Sequence, residues 1–285
     1  MKRLLSVTGL VLTLCQILSL ASAATFTDAH GNVIELDETL QAVSAFTLPG
    51  ADNAARKGET SLGDLWTDAL LWFAASHSID TAFEEDDVTA GITSVDAEED
   101  HIVALWNGGN IRADLPEGVF GAEQLAEILP YPNKVAVVYM TGAQLLEALE
   151  AASQGLPFTE DTADACASFM QVAGLTYSVD LTRAYDRGEE YGKHWFKAAS
   201  LGRVTIQDVH GKPFHPDDLY AVITSNANFN GMDSSYMFQQ AAEEHEKSTI
   251  TTAVVRDVVW EYIATVLNNQ IGEPYGEAQG RIQIR

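Results

Sequence analysis

The stretch Trp106-Asn107-Gly108-Gly109-Asn110-Ile111-Arg112 closes an apolar run that begins at His101, and Leu129-Pro130-Tyr131-Pro132-Asn133 follows about one helix later. The run 101–106 predicts a buried strand. Two glycines then leave the strand and let backbone come close to a ligand. Arg112 follows at once, a planar fork suited to a phosphate, a carboxylate or a stacked ring. Tyr131 is clamped between two prolines, and the amide of Asn133 comes next. Together the two segments predict a site for something flat with anionic or polyhydroxyl parts, such as a nucleotide.

The neighbouring pattern predicts helices and strands that interleave. Leu62, Leu65, Trp66, Ala69, Leu70 and Phe73 recur at helical spacing, so 61–76 reads as an amphipathic helix. A short helix is expected over 122–129 and a strand over 134–140. Thr141 and Gln144 make a capping box for a helix over 142–152. Residues 156–167 read as irregular. Strands are expected over 169–179, 203–209 and 219–224, with a turn at His210-Gly211-Lys212-Pro213. A long helix is expected over 252–268 and a closing strand over 280–284. A short hairpin is expected near the start, residues 26–28 and 33–36 around His30-Gly31-Asn32. No strict βαβ rhythm appears, which predicts a mixed α/β sandwich, mixed sheets flanked by helices, in one domain over 50–285. Residues 24–49 read as an extension.

Composition narrows the function classes. The chain has 16 Lys and Arg against 41 Asp and Glu, a formal net charge of −25. Such a field repels polyanions and argues against nucleic acid as a partner. Lys2 and Arg3, the apolar stretch 4–20 and Ala21-Ser22-Ala23 read as a cleavable signal over 1–23, so the protein is expected to be exported, periplasmic or secreted, with no membrane attachment after cleavage. Without Lys2 and Arg3 the balance is 14 basic against 41 acidic residues, or −27. Cys15 leaves with the signal and Cys166 stands alone, so the fold relies on its core. The acidic clusters within 81–100 read as a solvated loop.

Several residues carry candidate chemistry. Arg56 sits in a loop before a helix, where an arginine is either solvated or a ligand contact. Arg112 is positioned by its strand and glycines. Tyr131 is either a stacking or a packing aromatic, and Asn133 either reads a base edge or caps a turn. Asn226 to Asp233 is a polar, glycine-containing run after a strand. Asp233 suits ribose hydroxyls, because an ionised carboxylate only accepts and a diol supplies donors.

The motifs that these residues belong to resemble the carboxy-terminal domain of the 5'-nucleotidase family. The resemblance lies in residues 56–63, 107–112, 130–133, 140–145, 171–175, 231–234 and 280–282, all in the family's order. It implies the layered α/β fold of that domain and a substrate-binding set of Arg56, Asn107, Gly108, Gly109, Arg112, Tyr131, Asn133, Phe229 and Asp233. In the family, the arginines and the asparagine that match Arg56, Arg112 and Asn133 contact substrate. The aromatic matching Tyr131 stacks on the base, and the aspartate matching Asp233 holds the ribose. Two positions depart from the pattern. The family's second stacking aromatic is replaced by Ala227, with Phe229 two residues away as a substitute. A Gly-Gly-Asp-Gly loop reads Gly231-Met232-Asp233-Ser234 here.

The family's catalysis resides in an amino-terminal metallophosphatase domain. The seven histidines show no His-x-His or His-Glu-x-x-His pairing. The expectation is therefore no catalytic residue, metal or cofactor in this chain. Divalent metals would belong to a partner metallophosphatase, with which the chain would serve nucleotide breakdown. The alternatives are a nucleoside-binding protein without enzymatic partner and a degenerate scaffold that has lost its pocket.

Overall fold

Alternate residues of the strand before the glycine pair enter two different cores. Ile102, Ala104 and Trp106 pack in one, Val103 and Leu105 in the other, as the two-residue period of a strand requires. Every residue from Ile102 to Asn107 is buried. That is the signature of a strand covered on both faces.

The structure, a computed structural model, describes residues 25–27, 33–35, 41–76, 101–192 and 195–285. The predicted signal over 1–23, the acidic stretch 81–100 and the turn of the first hairpin lie outside the described residues. The strands are β1 (Thr25–Thr27), β2 (Val33–Glu35), β3 (Gln41–Ser44), β4 (Ile102–Asn107), β5 (Gly118–Gly121), β6 (Lys134–Thr141), β7 (Met170–Ala173), β8 (Leu175–Val179), β9 (Arg187–Tyr191), β10 (Trp195–Ala198), β11 (Val204–Val209), β12 (Lys212–Pro213), β13 (Leu219–Ser225), β14 (Thr249–Val254), β15 (Gln270–Ile271) and β16 (Ile282–Ile284). The helices are α1 (Ala54–Lys57), α2 (Ser61–Ser76), α3 (Ala122–Ile128), α4 (Gly142–Ala152), α5 (Asn226–Phe229), α6 (Tyr236–Glu244) and α7 (Val255–Thr265).

The central sheet runs β14-β6-β13-β4-β7, with β13 and β4 parallel and the other pairs antiparallel. Helices α2 and α7 cover one face, together with the three-stranded sheet β15-β3-β5. Helices α4 and α6 and the sheet β12-β11-β8-β16 cover the other. This is the expected layered sandwich of mixed sheets flanked by helices. Gln41–Ser44, within the segment read as an extension, pairs with β5 and β15 in the body of the domain.

Local signals place several elements as expected. Helix α2 spans Ser61–Ser76 with its apolar stripe buried. Thr141 accepts from the Gln144 backbone N–H at 3.3 Å while the Gln144 side chain accepts from the Thr141 N–H at 2.9 Å. His210 and Gly211, both at positive φ, turn β11 into β12.

Other readings are corrected. The strand expected over 169–179 breaks at Gly174, φ 80°, where the chain leaves the central sheet for the second. A Cβ there would lie 3.0 Å from the Ile102 carbonyl. The helix expected over 252–268 begins only at Val255. The run Thr249-Ile250-Thr251-Thr252-Ala253-Val254 is rich in β-branched residues and pairs with β6 instead. Asn268 and Asn269, both left-handed, follow its end. Arg56, expected in a loop, lies in the helical turn α1. No local pattern announces strands β5, β9 and β10 or helix α6.

The chain's last strand is fastened to α2 by charge. The Glu59 carboxylate accepts from the Arg281 and Ile282 backbone N–H groups, both at 2.9 Å. Arg281 pairs with Asp68 at 2.8 Å, and the buried Asp64 accepts from the Gln279 N–H at 3.0 Å. Burial, opposed by Arg281 and reinforced by Glu59, pushes the Asp64 carboxyl up to about 8. A carboxyl raised above its unfolded value favours folding while protonated. Its contribution is full below about pH 4 and is lost as pH rises through about 8. Asp64→Asn imitates the protonated form and keeps the Gln279 bond. Urea unfolding at about pH 5 to 8 should show this variant gaining stability relative to wild type as pH rises; a constant difference would contradict the assignment.

Candidate functional site

Beyond Asn107 the backbone makes a tight turn over Gly108–Asn110, and steric demand explains both glycines. A Cβ at Gly108 would lie 1.9 Å from the Ala55 carbonyl oxygen, and one at Gly109 would lie 2.6 Å from that of Ala167. The Gly108 N–H donates to the Phe169 carbonyl at 2.7 Å. The close approach here is to neighbouring backbone. It brings three segments, 54–57, 107–112 and 163–169, to one place. The Asn107 side chain joins them, accepting from Asn110 at 2.8 Å and donating to the Ala167 carbonyl at 3.4 Å.

The loop bearing Arg56 is held by one buried amide. Gln171, on β7, accepts from the Thr60 N–H at 3.0 Å and donates to the carbonyls of Ala55 at 2.9 Å and Gly58 at 2.8 Å. Gly63 leaves space for it, since a Cβ there would lie 2.2 Å from the Gln171 oxygen. Arg56, 8% exposed, donates through Nη1 to the Ala163 carbonyl at 2.8 Å. Burial, and then the charge of Arg112, lower its pKa, while Asp164, Asp233 and Cys166 act the other way.

These segments enclose a cleft of about 360 Å³ lined by Arg56, Asn107, Gly109, Asn110, Arg112, Asp164, Ala167, Trp195 and Asp233. Asp233 sits at φ 55° in the turn after α5. Burial pushes its carboxyl up, and Arg56 and Arg112 pull it down. The side chains of Arg112, Asp164 and Asp233 make no hydrogen bond or ion pair with another described residue. Their capacity therefore faces the cleft. Tyr131 stands beside it, 50% exposed, with the Arg112 guanidinium 5.9 Å from its ring centroid.

The cleft thus gathers Arg56, Asn107, Gly109, Arg112 and Asp233 from the predicted set, with Tyr131 at its edge. Gly108 shapes the turn without lining the cleft. Asn133 does not line it either; its carbonyl accepts from the Val255 N–H at 2.8 Å. The adjacent Lys134 N–H donates to the Asn226 side chain at 2.9 Å, tying the Tyr131 loop to the Asp233 loop. Phe229 does not line the cleft; it is partly buried and packs against the second core. Asn110, Asp164, Ala167 and Trp195 were missed. Asn110 sits inside the glycine motif and could have been read. Asp164 and Trp195 reach the cleft through tertiary contacts that no local pattern announces. Among the described residues, no group of three or more His, Cys, Asp and Glu side chains is placed to hold a metal ion.

A mixed α/β sandwich with a charged cleft at the end of a central strand is the class that this geometry defines. The model of the "5'-nucleotidase, C-terminal domain" family matches residues 40–240, and the chain belongs to that family. It is 31% identical over 195 residues to the trifunctional nucleotide phosphoesterase protein YfkN of Bacillus subtilis, covering 68% of this chain and 11% of that protein. It is 29% identical over 191 residues to the cell wall protein Lmo0130 of Listeria monocytogenes, covering 64% of this chain and 19% of that one. The chain therefore spans less than a fifth of either curated relative. The crystal structure of a 5'-nucleotidase precursor from Thermus thermophilus shares the fold, with a TM-score of 0.61 at 23% identity over 85% of this chain and 39% of that one.

Removing the Gln171 amide would strand a buried N–H and two carbonyls, each such loss costing about 1–3 kcal/mol. Gln171→Ala should lower stability by roughly 3 kcal/mol or more, read as a shifted urea midpoint. A loss below about 1 kcal/mol would show that water replaces the amide and that Arg56 is held otherwise.

Proposed function

We propose that the cleft recognises a nucleotide or nucleoside, and that the exported protein serves 5'-nucleotide breakdown together with a metallophosphatase that supplies the metal centre. The observation that carries this reading is the cleft's chemistry. Two arginines and an aspartate from three separate segments converge there, and the side chains of Arg112 and Asp233 make no hydrogen bond or ion pair with another described residue. Arg56 and Arg112 suit the anionic group of a nucleotide. Asp233 suits the ribose diol, and Tyr131 a base. Asn107 and Asn110 offer amides to polar edges. A volume of about 360 Å³ is in the range of small-molecule sites. A scaffold that had lost its ligand would be expected to pair these charges with one another.

The named relatives support the same reading at a distance. One is described as a nucleotide phosphoesterase and another as a cell wall protein, the latter in keeping with export. Among the described residues, no helix is long and apolar enough to cross a membrane. Phosphate hydrolysis of the two-metal kind needs a clamp on the attacking and leaving oxygens. We assign that clamp to the partner and substrate binding to this chain.

Titration calorimetry tests the assignment. Wild type should bind adenosine 5'-monophosphate, and Arg112→Ala should weaken that ligand by about ten-fold or more, the scale of one lost charged hydrogen bond. Adenosine, which lacks the phosphate, should respond less. Because only ionised Asp233 offers both oxygens as acceptors to the two hydroxyls of the diol, nucleoside affinity should fall on acidification, starting above the pH at which an ordinary carboxylate protonates. No binding of adenosine, guanosine, uridine or their monophosphates by wild type would contradict the reading.

A further inference from the structure

Trp195 is the one aromatic side chain lining the cleft among the described residues. It opens β10, in a hairpin that local patterns do not announce. Its ring is partly buried and belongs to neither core. Its indole N–H has no partner among the described residues, which leaves a donor as well as a ring face for a ligand.

The hairpin that carries Trp195 is anchored to the turn that carries Asp233. Tyr191, opposite Trp195 in the β9–β10 ladder, donates its hydroxyl to the Gly231 carbonyl at 2.6 Å. Gly231 has no room for a side chain, since a Cβ would lie 2.3 Å from that hydroxyl. The Tyr191 and Tyr236 rings lie 5.7 Å apart, and the Tyr236 hydroxyl accepts from the Ala198 N–H at 3.1 Å. The Phe196 N–H donates to the Gln154 side chain at 3.1 Å. Both ends of β10 are thus held, and Trp195 is positioned with Asp233 as one unit.

We propose that Trp195 stacks on the planar ring of the ligand and gives the cleft its preference for heteroaromatic ligands over ring-less sugar phosphates. This inference rests on the nucleotide reading above. Trp195 offers an aromatic face on the cleft, where the family's second stacking position is Ala227 and Phe229 does not line the cleft. A base stacked on an aromatic side chain gains an interaction that an open-faced base lacks, whatever the base. The ring therefore sets ligand class rather than base identity.

The test compares adenosine 5'-monophosphate with ribose 5-phosphate on wild type, Trp195→Ala, Trp195→Phe and Arg112→Ala. Trp195→Ala should weaken the nucleotide by about five- to a hundred-fold and leave ribose 5-phosphate within about two-fold. Trp195→Phe should retain most nucleotide affinity. Nucleotide should also quench wild-type tryptophan emission, and the quench should vanish in Trp195→Phe although binding persists. That readout decides the matter if Trp195→Ala does not fold. Unchanged nucleotide affinity in Trp195→Ala with a loss in Arg112→Ala would overturn the role of Trp195 and leave the nucleotide reading intact. Equal weakening of both ligands, or equal quenching in wild type and Trp195→Phe, would also overturn it. Failure of wild type to bind nucleotide would remove both proposals together.

Discussion

The buried amide of Gln171 is the contact on which the site depends. It reaches from a central strand to the loop 55–60, satisfying one N–H and two carbonyls that the core would otherwise leave bare. Without it the backbone beside Arg56 loses its tie to the central sheet. Glu59 works in the same loop on the other side, capping two N–H groups of the closing strand. Gly63 and Gly108 are vacant at Cβ because the Gln171 amide and the Ala55 carbonyl occupy that space. Much of the motif set that resembles the family is thus an interlock that aims an arginine, rather than a list of ligand contacts.

Charge gives the interlock its purpose. The protein carries a net −25, yet its cleft presents two guanidiniums that lie close enough to oppose each other. Burial makes this arrangement costly, and Asp164 and Asp233 offset it only in part. An anionic ligand would relieve the repulsion between Arg56 and Arg112 that their own neighbours do not cancel. The acidic surface would discourage polyanions while the cleft accepts a small one.

What the sequence made legible was local or steric. The apolar stripe of α2, the Thr141–Gln144 cap and the glycine turn at 108–109 each follow from demands within a few residues. The family resemblance then grouped Arg56, Arg112 and Asp233, which lie far apart in the chain. What stayed hidden was set by tertiary contact. Trp195 is brought in by a Tyr191–Gly231 hydrogen bond, and Asp164 by a turn fixed through Arg56 and the Ala163 carbonyl. Phe229 lies in the helical turn α5 and packs against the second core, a placement that its spacing from Ala227 does not announce. The helix over 252–268 was overextended because apolar spacing alone does not separate a helix from the β-branched strand that precedes it.

The proposed function requires one cleft to hold phosphate, sugar and ring at once. A crystal structure of the protein with adenosine 5'-monophosphate tests it most directly. The account predicts the phosphate within hydrogen-bond reach of Arg56 and Arg112, the ribose hydroxyls at Asp233, and the adenine against an aromatic ring. A nucleotide bound elsewhere, or a cleft left empty at saturating concentration, would contradict it.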